Sequence, residues 1–185
     1  MDISAAPLVL TKLQVPATRA LLVPRARLVD LFNTQENSGF ILVCAPAGYG
    51  KTTILTEWAH SLIQNGAAVA WYALDPSDDD PIPFKSYLLA SFIQAFGPLP
   101  ELTQIARLLH SSPEMDLQRI MPVIINAVLS SSREGVLILD DYHLIGAPAI
   151  HSALAYLLEH LPHNLRIACL LYTSPSPRDR TRSRM

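Results

Sequence analysis

The fold of this chain is decided by one loop stretch, Ala45-Pro46-Ala47-Gly48-Tyr49-Gly50-Lys51-Thr52. It follows the apolar run Phe40–Cys44 and precedes a helical pattern that starts at Lys51. A strand, a glycine-bearing loop and Lys-Thr at a helix start are the layout of a phosphate-binding P-loop. In that layout Gly48 and Gly50 adopt backbone conformations closed to other residues and bring N–H groups close to a phosphate. We therefore predict a phosphate site on this loop.

The residues after the second glycine carry the charge and metal chemistry. Lys51 would reach the β- and γ-phosphates, the Thr52 hydroxyl would bind Mg²⁺, and the helix N-terminus would add its dipole. The pattern G-x-x-x-x-G-K-[ST] asks for glycine where this chain has Ala45. We interpret this departure as tolerated, because alanine is the smallest substitute and Gly50 is kept. A chance match in a strand-to-helix turn is the alternative, which the flanking strand and helix disfavour.

A second informative stretch is Val136-Leu137-Ile138-Leu139-Asp140-Asp141. Four apolar residues followed by two aspartates are typical of a Walker B strand, which delivers a carboxylate to the sheet edge where open α/β folds bind ligands. Asp140 would then hold Mg²⁺, and Asp141 would help to polarise an attacking water. The pattern is weak alone, where it can mark a strand ending in a turn, and gains strength from the P-loop in the same short chain.

Composition predicts one globular α/β domain. The chain has 185 residues, half of them hydrophobic, which is enough for a single core. No apolar run approaches the ~20 residues that span a bilayer, so no membrane partner is expected, and the N-terminus lacks the basic region of a signal peptide. Cys44 and Cys169 lie in apolar strand-like runs and are expected to be buried free thiols in a reducing cytoplasm.

The charge of the chain is unevenly distributed. The formal net charge is −2, from 14 basic and 16 acidic side chains. Residues 173–185 hold four arginines and one aspartate, so the rest of the chain has 10 basic and 15 acidic side chains. That body has no nucleic-acid-binding footprint of its own.

Strand and helix patterns alternate along the chain, which predicts a parallel sheet flanked by helices. Phe40–Ala45 is continuously apolar and is expected to be a strand buried on both faces. Pro122 is expected to kink its helix or shift its start. The other predicted strands are 67–74, the stretch 136–141 and 166–171, and the predicted helices are 25–32, 51–64, one that begins at Pro81, 102–109, 117–129 and 148–160.

Three further patterns favour structural roles. Asp78-Asp79-Asp80 could suggest a metal site, but Asp80 followed by Pro81 is better interpreted as a helix N-cap. The aromatic residues at helical spacing between Phe84 and Phe96 indicate core packing rather than a cofactor site. The histidines, including the pair His160 and His163, lack the closed ligand set that zinc requires.

Several motifs together resemble one family. They are Leu10–Leu13, Leu22–Leu28, Ala45–Thr53, Trp71–Asp75 and Leu139–Ile145. In this order they are similar to the nucleotide-binding domain of the MalT-like, LuxR-type transcriptional regulators, which are signal-transduction ATPases of the STAND class of P-loop proteins. The resemblance covers about residues 8–170.

The resemblance implies a nucleotide switch. ATP or ADP, with Mg²⁺, would set an off or on state, and self-association would follow in the full-length protein. DNA and a small-molecule inducer would bind through C-terminal modules that this chain does not include. The implied strand order is 5-1-4-3-2, with the 166–171 strand beside the P-loop strand. Pro24 and Arg25 would lie near the adenine end of the nucleotide.

The chain departs from the family after Ala168. The family continues with Ser-Arg or Cys-Arg, whose arginine senses the γ-phosphate, whereas here Cys169 is followed by Leu170 and then by a Ser/Pro/Arg-rich tail. The tail resembles translated sequencing-adaptor read-through. We therefore expect a lead-in with a short helix over 1–39, a P-loop core over 40–171 that lacks its last strand, and a non-native tail over 172–185.

The leading hypothesis is an ATP-binding regulatory switch domain that acts as a slow ATPase. One alternative is a P-loop metabolic kinase, for which Arg107, Arg119 and Arg133 are the few candidate lid arginines, and another is a degenerate P-loop module that only associates with proteins. The predicted nucleotide-binding residues are Ala47, Gly48, Tyr49, Gly50, Lys51, Thr52, Thr53, Pro24 and Arg25; the predicted catalytic residues are Asp140, Asp141 and Lys51; the predicted metal ligands are Thr52 and Asp140.

Overall fold

The computed structural model describes residues 8–17, 26–34, 39–46 and 48–172. Their centre is a four-stranded sheet made of β1 (Phe40–Ala45), β2 (Ala68–Ala73), β3 (Gly135–Asp140) and β4 (Leu165–Tyr172). The helices are α1 (Ala26–Thr34), α2 (Lys51–Gln64), α3 (Pro81–Phe96), α4 (Pro100–Ser111), α5 (Leu117–Ser130) and α6 (Pro148–Glu159), with single 3₁₀ turns at Leu10–Leu13, Pro76–Asp78 and Tyr142–Leu144.

All neighbouring strands of the sheet are parallel and follow the order β1-β4-β3-β2. β4 lies beside the P-loop strand, with Phe40 opposite Ile167 and Ala45 opposite Tyr172. This confirms the predicted α/β sheet. The order differs from 5-1-4-3-2 only in that the described residues contribute no strand at position 5.

The sheet separates two hydrophobic layers. The larger layer packs α3 to α6 against β2, β3 and β4, and its centre holds the predicted aromatic residues Phe84, Phe92 and Phe96, which are buried. The smaller layer packs α1 and α2 on the other face around the buried Trp58, whose indole N–H donates to Asn33 Oδ1 at 2.9 Å. The prediction that the aromatic residues form core is confirmed.

The prediction that β1 is buried on both faces is wrong. Ile41 faces the smaller layer and is buried, whereas Phe40 and Leu42 point to the opposite face and are 37% and 49% exposed. β1 is an edge strand of the four-stranded sheet, and among the described residues no helix covers its second face. A groove of about 310 Å³ remains there, between β1, β4 and α6.

The two cysteines differ in exposure because one lies on the edge strand and the other lies inside the sheet. Cys169 lies on β4 inside the sheet and is buried, as predicted, and burial raises the pKa of its thiol to about 12. Cys44 lies on the edge strand and is exposed, so its predicted burial is wrong. Both thiols are free.

α4 and α5 differ most from their predicted form, whereas the ends of α1 and α6 lie within two residues of the predicted bounds. α4 extends to Pro100–Ser111, beyond the predicted 102–109, because Pro100 fits the first helical position. α5 begins at Leu117, with the Asp116 carboxylate accepting from Gln118 N at 3.0 Å, and runs through Pro122 without a shift of its start. Proline deletes one helical hydrogen bond, to the carbonyl of the exposed Gln118, where water can replace it.

No helix within the described ranges is long and apolar enough to cross a bilayer.

Candidate phosphate and metal site

The loop between β1 and α2 adopts the backbone conformation that its glycines predict. Gly48 has φ +79° and Gly50 has φ +73°, both in the left-handed region. Gly50 is the N-cap of α2, and its carbonyl accepts from Ile54 N at 3.0 Å. A Cβ at Gly48 would meet no atom within 4 Å, so the backbone conformation rather than crowding favours glycine there. The loop therefore leads directly into the first turn of α2, whose N–H groups have no acceptor within the helix itself.

The Lys51 side chain folds over its own loop. Its Nζ donates to the carbonyl oxygen of Ala45 at 2.7 Å and to that of Pro46 at 2.9 Å. Phosphate oxygens are stronger acceptors than neutral carbonyls because their bonds to an ammonium group are assisted by both charges. Lys51 is thus placed at the loop and has a stronger acceptor to gain when a phosphate enters.

Thr52 and Asp140 bring the two sequence motifs together. The Thr52 hydroxyl, in the first turn of α2, donates to Oδ1 of Asp140 at 3.3 Å. Asp140 is the last residue of β3 and is only 5% exposed. The contact forms because the C-terminal ends of the parallel strands β1 and β3 meet at one edge of the sheet.

The electrostatics of Asp140 fit a cation site. Burial, followed by repulsion from Asp141, raises the pKa of Asp140 to about 6, while the bond from Thr52 and the charge of Lys51 oppose the rise. A buried carboxylate with incomplete compensation gains from a divalent cation. One hydroxyl and one carboxylate also suit Mg²⁺, which completes its octahedron with phosphate oxygens and water. The described part of the chain holds no group of three or more His, Cys, Asp or Glu able to bind a metal alone.

Asp141 follows the strand in an unusual conformation. Its φ of +59° and ψ of 32° are left-handed, a conformation that costs most non-glycine residues roughly 1–2 kcal/mol and that aspartate adopts more readily than most. Its half-exposed carboxylate lies 3.7 Å from Nδ1 of His143. Strained residues of this kind cluster at functional sites. The sequence predicted the place of Asp141 but not its backbone conformation.

The remaining predicted residues divide into two groups. Thr53 lies half-buried in the first turn of α2, and Tyr49 is exposed on the loop. Ala47, Pro24 and Arg25 lie outside the described residues. The structure thus brings together the loop glycines, Lys51, Thr52 and Asp140, and the adenine end remains a prediction.

The run of three aspartates has structural roles that sequence reasoning found only in part. Asp80 is the N-cap of α3, as predicted, and its carboxylate accepts from Ile82 N at 2.8 Å. Asp78 is fully buried and pairs with the Lys12 ammonium at 2.7 Å. Asp79 accepts from the backbone of Gly146 and Ala147. The partners of Asp78 and Asp79 lie far from them in the sequence. The run of three aspartates was therefore the only local signal that pointed to these two residues.

The fold and the site define a P-loop nucleotide-binding domain. A family model described as "AAA domain" matches residues 34–175, and the chain belongs to this family. It is 32% identical over 168 residues to the HTH-type transcriptional regulator MalT of Cronobacter sakazakii and 31% identical to that of Klebsiella pneumoniae strain 342. The alignments cover 91% of this chain and 18% of each relative. The resemblance to MalT-like regulators is thereby confirmed.

This chain is also similar to chains in solved structures. One is Drosophila ORC bound to poly(dA/dT) DNA and Cdc6, with 20% identity and a TM-score of 0.45 over 84% of this chain and 25% of that chain. Another is Drosophila ORC bound to GC-rich DNA and Cdc6, with 16% identity and a TM-score of 0.48 over 98% of this chain and 34% of that chain.

Proposed function

We propose that this domain binds ATP or ADP together with Mg²⁺ and serves as a nucleotide-dependent switch in a transcriptional regulator. The observation that carries the proposal is the 3.3 Å contact between the Thr52 hydroxyl and Asp140. It joins the P-loop and the Walker B strand in one site, beside a loop shaped by two left-handed glycines.

Each residue has a defined task in the proposed complex. The backbone around Gly48 and Gly50 and the N-terminus of α2 bind the phosphates, and Lys51 leaves its loop carbonyls to reach the β- and γ-phosphates. Thr52 and Asp140 hold Mg²⁺. The metal, when bound, neutralises negative charge on the phosphate oxygens.

Slow hydrolysis is the proposed exit from the ATP-bound state. Asp141 orients and polarises the attacking water from its position just after the strand. Phosphoryl transfer of this type depends on positioning and charge neutralisation rather than on covalent catalysis. A slow rate suits a switch, because the γ-phosphate holds one conformation until it is lost.

The regulatory part of the proposal comes from the relatives. They are named HTH-type transcriptional regulators, and this chain spans 18% of their length. We propose that self-association, inducer recognition and DNA binding involve regions of such longer proteins. Nucleotide binding in this domain is the proposed signal that controls them. The kinase alternative gains no support from Arg133, whose guanidinium donates to the carbonyls of Ala95 and Gly66 at the opposite edge of the sheet.

The test is Mg²⁺-dependent binding of a fluorescent ATP analogue to the full chain. Lys51→Ala should abolish saturable binding, because it removes the cation that reaches the phosphates. Arg107→Ala, which removes a positive charge from an exposed position on α4, should bind as the wild type does. Circular dichroism on each sample establishes folding. A folded wild type that ignores ATP, or a Lys51→Ala variant that binds normally, would overturn the proposal.

A further inference from the structure

The loops that follow β2 and β3 are tied together at the edge of the sheet that holds the site. The N–H of Leu74, just after β2, donates to the Asp140 carbonyl at 3.0 Å. Further along, Oδ1 of Asp79 accepts from both Gly146 N and Ala147 N at 2.7 Å. The loop after β2 is therefore hydrogen-bonded to both ends of the segment that follows β3, at Asp140 and at Gly146 with Ala147.

Asp79 supplies an acceptor that the local sequence of α6 lacks. Ala147 occupies the N-cap position of that helix, and its side chain makes no capping bond. The carboxylate of Asp79, from a different loop, accepts the exposed N–H groups instead and places a negative charge at the positive end of the helix. A Cβ on Gly146 would lie 3.6 Å from Oδ2 of Asp79, so the two loops are in close contact.

The segment between these two sets of hydrogen bonds is short. Only residues 141–145 separate Asp140 from Gly146, and they comprise the left-handed Asp141, the 3₁₀ turn Tyr142–Leu144 and the buried Ile145. Gly146 is therefore connected to Asp140 and Asp141 by a short stretch of backbone. The left-handed backbone of Asp141 lies within this segment, and left-handed non-glycine residues are held in place by their surroundings.

We propose that Asp79 is a positioning residue of the Mg²⁺ site: its bonds to Gly146 and Ala147 hold the 141–147 segment so that the Asp140 carboxylate stays aimed at Thr52. The inference rests on the proposed function, since it concerns how well the site holds Mg²⁺ with the nucleotide. Its neighbours in the sequence do not share this role. Asp78 pairs with Lys12, and Asp80 caps α3.

The test compares three variants of the full chain by the Mg²⁺ concentration that gives half-maximal binding of a fluorescent ATP analogue. Asp79→Ala should raise this Mg²⁺ concentration about tenfold, which is the lower end of the effect of losing support around a metal ligand. The affinity for the Mg²⁺-free nucleotide should be unchanged. Asp79→Asn should retain the wild-type value, because its amide oxygen can accept the same bonds. Asp80→Ala is the matched control, which removes an equal charge and a helix cap.

A second readout needs no nucleotide. Amide hydrogen exchange at residues 142–147 should be faster in Asp79→Ala than in the wild type and in Asp80→Ala. The inference is overturned if Asp79→Ala keeps the wild-type Mg²⁺ requirement, if Asp80→Ala raises it equally, or if exchange is unchanged. A folded wild type that binds no nucleotide would overturn the proposed function, and the exchange rates would still decide whether Asp79 holds this segment.

Discussion

The Thr52 hydroxyl donates to the Asp140 carboxylate at 3.3 Å across 88 positions of sequence. The two side chains come from different elements, the first turn of α2 and the last residue of β3. A hydroxyl and a carboxylate that already touch can both reach one small cation, so the two proposed Mg²⁺ ligands would need little rearrangement to bind it. This preorganisation is the basis of the first two predictions.

Thr52→Ala should weaken Mg²⁺-dependent nucleotide binding by about 10- to 100-fold, the range typical of a disturbed metal site. The change removes both a proposed metal ligand and the hydroxyl that donates to Asp140. Thr52→Ser keeps the hydroxyl and should restore most of the affinity. Titrations of a fluorescent ATP analogue at fixed Mg²⁺ check both values, and equal affinities for the alanine and serine variants would contradict the proposed role.

The stability of the nucleotide-free domain should fall as pH rises from about 4 to about 6. The pKa of Asp140 is raised from 3.8 to about 6 in the folded state, so across this interval the folded chain binds more protons than the unfolded chain. The difference corresponds to at most about 3 kcal/mol. Urea denaturation at a series of pH values measures it.

Asp140→Asn supplies the control for this pH dependence. It removes the titrating group, so the fall in stability between pH 4 and 6 should shrink, and the variant should be more stable than the wild type at pH 7. The same variant should lose Mg²⁺-dependent nucleotide binding, because the amide is a poor substitute for a carboxylate ligand. An unchanged pH profile in Asp140→Asn would show that another group is responsible.

Asp141→Gly should be more stable than Asp141→Val by about 2 kcal/mol, because glycine adopts the left-handed φ of +59° without strain and a β-branched residue does not. Ser132 offers a matched position, since it has φ +53° and precedes β3 rather than following it. Ser132→Gly and Ser132→Val should show the same ordering of stability with no effect on nucleotide hydrolysis. Chemical denaturation and phosphate release measure the two properties, and equal stability of both Asp141 variants would contradict the strain.

Local patterns predicted the parts of the structure whose causes are local. Gly50 before Lys51, Asp80 before Pro81 and the apolar run ending at Asp140 each determine a loop, a cap or a strand within a few residues. The exposure of Leu42 could not be predicted in this way. An apolar strand is buried on both faces only if elements cover both, and that depends on its place in the sheet.

The contacts of Asp79 and Lys12 could not be predicted from the sequence for a related reason. Their partners lie 67 and 66 positions away, at Gly146 and Asp78. Such contacts follow from which loops are neighbours at the sheet edge, so they appear only once the strand order is known. The left-handed conformation of Asp141 likewise depends on the loops that hold it.

The ion pair between Lys12 and Asp78 should anchor the segment that contains the Leu10–Leu13 turn. The Lys12 ammonium lies 2.7 Å from Asp78 and 2.8 Å from Asp75, and Asp78 is fully buried. Lys12→Met should destabilise the domain by about 3 kcal/mol, because it leaves a buried carboxylate without its cation. Lys12→Met combined with Asp78→Asn should recover part of that loss, since the uncompensated charge is then removed.

Urea denaturation of the two variants measures this effect, with Asp75→Asn as the comparison. Asp75 is half-exposed and shares the same ammonium, so neutralising it should cost no more than about 1 kcal/mol. A Lys12→Met loss as small as that of Asp75→Asn would mean that water reaches Asp78 once the lysine is gone. The segment would then be held mainly by apolar packing of the buried Leu13 against the larger core layer.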